Sequence, residues 1–218
     1  MEFKLYNYYR SSCSYRVRIA LELKKIAYEY LPIHLLEDGG RQNSSEYQRI
    51  NTKQEVPTLI HLETPISQSM AIIEYLDEIK PEVRLLPKDP VERAHVRQAC
   101  EIINSGIQPL QNLRILNKLV SDYQINDVQK KKWINDVVTQ GLNSFEKFIF
   151  NKSGKYCFGD TITAADLFLI PQLFSSVRFG VDLTPYQTLL QINDNCLKLD
   201  AFKISHPDVQ PDTPSTKV

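Results

Sequence analysis

Ser11, Ser12 and Cys13 stand in a row behind Arg10, after the apolar run Phe3–Tyr8 and before a stretch with helical spacing. Hydroxyls and a thiol at such a junction suit the handling of an anion or a reactive sulfur. A strand that feeds a helix leaves backbone N–H groups unpaired at the helix start, and the helix dipole favours negative charge there. Ser11 or Ser12 can donate a hydrogen bond to an anion held at that point. The same serines can instead do no more than cap the helix, and these residues alone leave both readings open. A second signal is Val56-Pro57, at the entry to an apolar strand. A cis bond there would turn the preceding backbone outward to pair with an extended peptide, whereas a trans bond would only mark an edge. A third is Gln68-Ser69, a polar pair ahead of a helix that suits either a carboxylate or a cap.

The elements that must position these residues alternate in the first eighty positions. Phe3–Tyr8 reads as a strand. Cys13, Val17, Ala20 and Leu21 then fall on one helical face, with Arg16, Glu22 and Lys24 expected to face away. Tyr28–Leu35 is a second strand-like run, followed by a polar loop over 37–45 and a short helix. Val56–Leu62 is a third strand, and Pro65-Ile66 begins a fourth. Met70, Ile72, Ile73, Leu76 and Ile79 form a helical stripe that stops before Pro81. A βαβ unit, a hairpin and a helix imply a small mixed sheet covered by helices. Pro81, Pro87 and Pro90 give residues 81–90 the composition of a linker. Beyond them strand signals nearly vanish, so the expected division is 1–80, a linker over 81–90, and an all-helical 91–218. Val91 to about Leu119 reads as one long helix that Pro109 can kink. Thr163–Asp166 has the form of a capping box opening another helix. The tail from His206 carries Pro207, Pro211 and Pro214 and is expected to run extended over the surface.

Composition narrows the function classes. Of 218 residues, 26 are Lys or Arg and 26 Asp or Glu, so the formal net charge is zero. That balance points to neither nucleic acid nor an anionic membrane as partner. No basic segment followed by an apolar core opens the chain and no run is long enough to span a bilayer, so a cytoplasmic protein is expected. Cys13, Cys100, Cys157 and Cys196 form no CxxC pair and no zinc-knuckle spacing. Reduced thiols and no metal are the expectation. Cys100 and Cys157 lie in apolar segments and read as packing residues.

Taken together, these motifs resemble the glutathione transferase superfamily and, more narrowly, its zeta class. The resemblance rests on Ser11-Ser-Cys-Ser-Tyr-Arg-Val-Arg-Ile-Ala-Leu21, Val56-Pro-Thr-Leu59, Gln68-Ser-Met-Ala-Ile-Ile-Glu-Tyr-Leu76 and Gly106-Ile-Gln-Pro-Leu-Gln-Asn-Leu113. Gly159-Asp160, Val181-Asp-Leu-Thr-Pro-Tyr186 and the proline-rich tail extend it over nearly the whole chain. It implies a thioredoxin-like N-terminal domain (α/β) followed by an all-α domain, with glutathione as cofactor and a homodimer. It also implies roles: Ser11 as the catalytic serine, with Ser12 and Cys13 completing the thiol site. Gln42, Val56 and Pro57 would hold the glycyl and cysteinyl parts of glutathione, and Gln68 and Ser69 the γ-glutamyl carboxylate. Gln108 and Asn112 would line the pocket, and Arg178, Arg10 and Arg114 are candidates for substrate carboxylates, because a guanidinium binds them bidentately. Arg16 and Arg18 are expected to be surface or structural residues. Tyr15 stands where the class often has Trp, and Arg114 where a small polar residue is common.

The activity implied is glutathione-dependent cis–trans isomerisation of maleylacetoacetate, a dicarboxylate, to fumarylacetoacetate in tyrosine and phenylalanine breakdown. Reversible thiolate addition to the conjugated double bond would allow rotation without consuming the cofactor. Alternatives are isomerisation of maleylpyruvate, general glutathione transfer to α-halo acids, or Cys13 as a reactive thiol as in omega-class relatives. A non-catalytic interaction module is the reading from another class, since fold alone does not fix function.

Overall fold

The computed structural model describes residues 2–215. The chain divides into two compact units, Met1–Leu85 with Leu197–Val218, and Leu86–Cys196. Among the described residues, no helix is long and apolar enough to cross a membrane.

The first unit is built on a four-stranded sheet of order β2-β1-β3-β4. Strand β1 (Phe3–Asn7) alternates buried Phe3, Leu5 and Asn7 with partly exposed Lys4 and Tyr6, the period-two pattern of a pleated strand. It pairs in parallel with β2 (Tyr28–Pro32), and β3 (Thr58–His61) runs antiparallel on its other side. Leu5 is thereby set between Tyr30 and Leu59. The edge strand β4 (Thr64–Ser67) returns from β3 through Leu62 and Glu63, both at positive φ, the backbone hand that a two-residue hairpin demands. Helix α1 (Ser12–Leu23) connects β1 to β2, and a short α2 (Ser45–Ile50) precedes the turn into β3. Helix α3 (Ser69–Ile79) packs beside α1 and buries Ile72, Ile73 and Leu76.

Helix α1 is buried almost all round. Arg16 and Arg18 are fully buried and Lys24 nearly so, so the expectation that Arg16 and Lys24 face away from the core fails. Each cation is buried with polar partners. Lys24 Nζ donates to Asp77 Oδ1 at 2.9 Å, Lys80 O at 2.9 Å and Val83 O at 2.6 Å.

In the second unit, α4 (Pro90–Asn104), α5 (Leu113–Tyr123), α6 (Asp127–Ile149), α7 (Ala164–Arg178) and α8 (Gln187–Cys196) follow in order. Helix α7 is the central one and is buried on nearly every face between α4 and α8. Its capping carboxylate, Asp166, accepts from Thr163 N and Cys157 N, each at 2.8 Å. The single kinked helix expected from Val91 to Leu119 is instead two. Helix α4 stops at Asn104, a 3₁₀ turn spans Gln108–Gln111, and α5 restarts behind Asn112. Pro109 has no N–H to donate and disfavours helical backbone before it, and Asn112 supplies a fresh cap.

The tail also departs from expectation. Helix α9 (Asp200–Ile204) and a 3₁₀ turn at Pro207–Val209 precede a closed turn, and these residues belong to the first unit, not to the helical one. Phe202, Pro207 and Gln210 are buried. Among the described residues the tail is a packed element, held by long-range hydrogen bonds that the local sequence does not disclose.

Candidate active site

Between β1 and α1 the backbone turns through Tyr8, Tyr9 and Arg10. Ser11 N donates to Tyr8 O at 3.0 Å and closes that turn. Ser11 is the N-cap of α1, with φ −69° and ψ 120°, and its Oγ accepts from Ser14 N at 3.2 Å. The capping reading therefore holds, yet it does not exclude the other. A hydroxyl that accepts through a lone pair keeps its hydrogen to donate. Ser12 and Cys13 form the first turn, where backbone amides precede any intrahelical acceptor, and that turn contains no acidic residue. Ser11, Ser12 and Cys13 are each partly buried. A hydroxyl hydrogen, orphan amides and the positive helix end thus converge where anionic sulfur would be favoured.

Arg10 is partly buried, its Cζ 5.9 Å from the ring centroids of both Tyr8 and Tyr9. Burial holds the Tyr8 phenol well above its ordinary range, against the lowering effect of Arg10, so Tyr8 stays neutral and serves packing. It clusters with Tyr47 and Val56.

The Val56–Pro57 bond is cis. The turn before it is fastened from α2 and its C-cap. Tyr47 Oη donates to Glu55 O at 2.8 Å, and Asn51 Nδ2 donates to the same carbonyl at 2.7 Å and to Thr58 Oγ1 at 3.0 Å. Neither Tyr47 nor Asn51 was singled out by sequence. A polar residue closing a short helix ahead of a proline-led strand is the signal that could have marked Asn51.

Gln42 lies in the 3₁₀ turn Arg41–Asn43, and its Oε1 is buried with no hydrogen-bond partner among the described residues. Gly40, at φ +92°, makes this possible, because a Cβ there would sit 2.5 Å from the Gln42 amide nitrogen. An orphaned buried acceptor costs about 1–3 kcal/mol, and an N–H donor from a bound molecule would remove that cost.

At the head of α3, Gln68 has φ +74° and makes no side-chain cap. Ser69 Oγ accepts from Arg16 Nη1 at 3.1 Å. For this pair the capping alternative falls. The Ser69 oxygen is occupied by a buried guanidinium, so its O–H can donate to an anion. Arg16 also fastens α3 to α1, one turn along from Ser12 and Cys13. The first unit therefore carries Ser11, Ser12, Cys13, Gln42, Val56, Pro57, Gln68 and Ser69, on a framework of buried cations that sequence had set aside as surface or structural residues.

The remaining candidates lie in the second unit. Gln108 is partly buried in its 3₁₀ turn, and Asn112 Oδ1 accepts from Arg114 N at 3.0 Å, which makes it the cap of α5. Arg114 is exposed in the first turn of that helix. Arg178, at the end of α7, is exposed with its Cζ 4.3 Å from the Phe179 ring centroid. The buried amide of this region is Gln111, not Gln108. It exchanges hydrogen bonds with Gln172 at 2.9 and 3.2 Å. The other three thiols, Cys100, Cys157 and Cys196, are buried. Burial pushes those of Cys157 and Cys196 well up, away from reactivity.

Residues 1–78 match the family described as "Glutathione S-transferase, N-terminal domain", and residues 115–204 match "Glutathione S-transferase, C-terminal domain". The chain is 49% identical to a maleylacetoacetate isomerase of Mus musculus, over 97% of this chain and 95% of the relative. It superposes on a bacterial zeta-class maleylpyruvate isomerase with a TM-score of 0.93 at 39% identity, covering 97% of this chain and 100% of that one. A maleylacetoacetate isomerase from Anaeromyxobacter dehalogenans with bound dicarboxyethyl glutathione and citrate gives 0.87 at 38% identity, covering 97% of each chain.

Proposed function

Because the chain belongs to the glutathione S-transferase family, in its zeta class, we propose that it is the glutathione-dependent isomerase that converts maleylacetoacetate to fumarylacetoacetate. The observation that carries this reading is Ser11: it caps α1 through its oxygen and keeps its hydroxyl hydrogen at a helix end free of acidic side chains. When bound, glutathione supplies a thiolate that adds reversibly to the conjugated double bond and permits its rotation.

The chain's own residues then have separable tasks. Ser11 donates to the sulfur and lowers its pKa, with Ser12, Cys13 and the first amides of α1 adding to that field. A lowering of about one to two units is worth about 1.4–2.7 kcal/mol. Val56, next to Pro57, offers backbone groups to the cysteinyl part. Gln42 fits the glycyl end, where its orphaned Oε1 accepts an N–H. Gln68 and Ser69 bind the γ-glutamyl carboxylate, with the Arg16 guanidinium behind Ser69 adding positive potential. The family resemblance assigns Gln108 and Asn112, on the second unit, to the acceptor, and Arg10, Arg114 and Arg178 are the cations offered for the two substrate carboxylates. A homodimer is part of the proposal, as is a cytoplasmic location: a thiol-dependent reaction in a chain whose four cysteines are free suits a reducing compartment.

The test is to mix the protein with maleylacetone and a catalytic amount of glutathione. Isomerisation without loss of free thiol supports the reading. Stoichiometric thiol loss would make the protein a transferase, and failure to bind glutathione would make it an interaction module. A second reading, maleylpyruvate as substrate, is favoured by the similarity to the bacterial maleylpyruvate isomerase. The ratio of kcat/KM for the two substrates decides between them.

A further inference from the structure

The turn that presents Ser11 is fastened from outside itself. Arg18, fully buried two helical turns into α1, sends Nη2 to Tyr9 O at 2.9 Å and Nη1 to Tyr8 O at 3.4 Å and Asn7 Oδ1 at 3.0 Å. Its Nε donates to Ser205 O at 3.1 Å, in the tail. From the other direction Asp212 reaches the same turn, its Oδ2 accepting from Tyr9 N at 3.0 Å. The second carboxylate oxygen of Asp212 accepts from Tyr30 Oη on the edge strand β2. Both backbone polar groups of Tyr9 are thus held by side chains outside the turn, Arg18 on the following helix and Asp212 among the last residues of the chain.

The tail is built to hold Asp212 in place. Tyr15 Oη donates to Phe202 O at 3.3 Å. Gln210 Nε2 donates to Ile204 O and His206 O at 2.8 and 2.9 Å. Thr213 closes the segment, its N on Gln210 O at 3.0 Å and its Oγ1 on Pro207 O at 2.5 Å. Asp212 sits inside that closed turn, between Gln210 and Thr213.

We propose that this C-terminal segment is a positioning element for the thiol site, with Asp212 and Arg18 as positioning residues that set the Tyr8–Arg10 turn and, through Tyr8 O, the Ser11 cap. The inference rests on the reading of Ser11 as the thiol's hydrogen-bond donor. Tyr8 O is the link, since it accepts both Arg18 Nη1 and Ser11 N. Releasing Tyr9 N lets the turn relax, and displacement of a catalytic group by a fraction of a bond length to about 1 Å is enough to slow a reaction severely. Glutathione's carboxylate and backbone contacts, assigned to Gln68, Ser69 and Val56, do not depend on Tyr9. The effect therefore falls on the state of the sulfur rather than on affinity.

The experiment compares Asp212→Ala, Asp212→Asn and Ser11→Ala with the intact chain. It measures kcat against pH, the pKa of the bound glutathione thiol from thiolate absorbance, and the Kd of S-methylglutathione, which has no ionisable sulfur. Asp212→Ala is expected to lower kcat about tenfold and shift the acid limb of the profile to higher pH, with the Kd of S-methylglutathione unchanged. Asp212→Asn keeps an oxygen for Tyr9 N and an amide that can donate to Tyr30 Oη, so it is expected to restore most of the loss. A wild-type pH profile in Asp212→Ala, or a fall in activity that Asp212→Asn does not repair, overturns the proposal. Should Asp212→Ala not fold, Tyr30→Phe removes one of the carboxylate's two donors and carries the same test, with an unshifted profile as the refuting result. If Ser11→Ala is impaired and the Asp212 variants are not, the positioning role alone is wrong. If Ser11→Ala keeps the wild-type thiol pKa, the underlying reading fails as well.

Discussion

Ser11 has two functions through one oxygen, and substitution can pull them apart. As N-cap it accepts from Ser14 N, and its replacement by Ala is expected to cost about 1 kcal/mol, which lowers Tm by about 2–4 °C for a chain of this size. As donor to the sulfur it is expected to hold the thiol pKa down by about one unit, worth about 1.4 kcal/mol. Its loss should lower turnover about tenfold at pH below that pKa. Ser11→Asp keeps the acceptor for Ser14 N and places negative charge at a helix N-terminus, where it is favourable. It has no hydrogen to donate when ionised, however, and it repels a thiolate. The expected order of stability is Asp at or above Ser, then Ala. The expected order of turnover is Ser, then Ala, then Asp. Thermal unfolding gives the first order, and initial isomerisation rates with thiolate absorbance titrations give the second. An active Ser11→Asp variant, or a Ser11→Ala variant with unchanged thiol pKa, would refute the reasoning, and a large loss in Ser12→Ala alone would transfer the role to that hydroxyl.

Gln68→Gly should relieve the positive φ at the head of α3, raising the urea midpoint by the equivalent of about 1 kcal/mol. The lost side-chain amide should weaken glutathione binding. A variant neither more stable nor weaker in binding would contradict both halves. Asp77→Ala leaves the buried Lys24 charge without its carboxylate and Leu85 N without its 2.7 Å acceptor, so denaturation should show a loss of about 3–5 kcal/mol; a loss no larger than that of an exposed pair would count against the buried reading. Burial pushes the Tyr28 phenol from its ordinary value of 10.0 up to about 12, so the folded state keeps a proton that the unfolded chain releases between those values. Stability should therefore fall as pH rises through that window. Tyr28→Phe should flatten the decline in alkaline denaturation curves, and an unchanged slope would show that other groups cause it.

How legible the site was depended on how local its causes are. The Ser11 cap follows from a serine at a strand–helix junction, and Gln68 and Ser69 stand as a polar pair ahead of a helix, whereas Gln42 was reached only through the family resemblance and the part of Gly40 appears only in the structure. The outward placement of Arg16 and Lys24 on α1 failed for the converse reason, while Arg18 took the structural one of its two expected roles. A helical wheel assigns Arg16 to the outside when one face is assumed to be covered, but α1 is covered on several sides by the sheet, α3 and the tail. Arg16 finds Ser69 fifty-three positions away, and Arg18 finds Ser205 at a separation of 187. Similarly, the break at Asn104–Asn112 was read as a kink because Pro109 announces an interruption without saying how many residues it removes from the helix.

From residue types and spacing alone came the alternation of strands and helices over the first eighty residues, the two-part architecture and the hydroxyl–thiol row, because each rests on periodicity, capping and turn chemistry within about a dozen residues. Tertiary structure alone decided which polar groups are buried, the isomer of Val56–Pro57, and the attachment of the tail to the first unit. The buried cations and the tail depend on partners 53 to 203 positions apart, while the Val56–Pro57 turn is fastened by Tyr47 and Asn51 from the neighbouring helix and its cap. A buried guanidinium or carboxylate is stable only where such partners meet it, and no local pattern encodes that meeting.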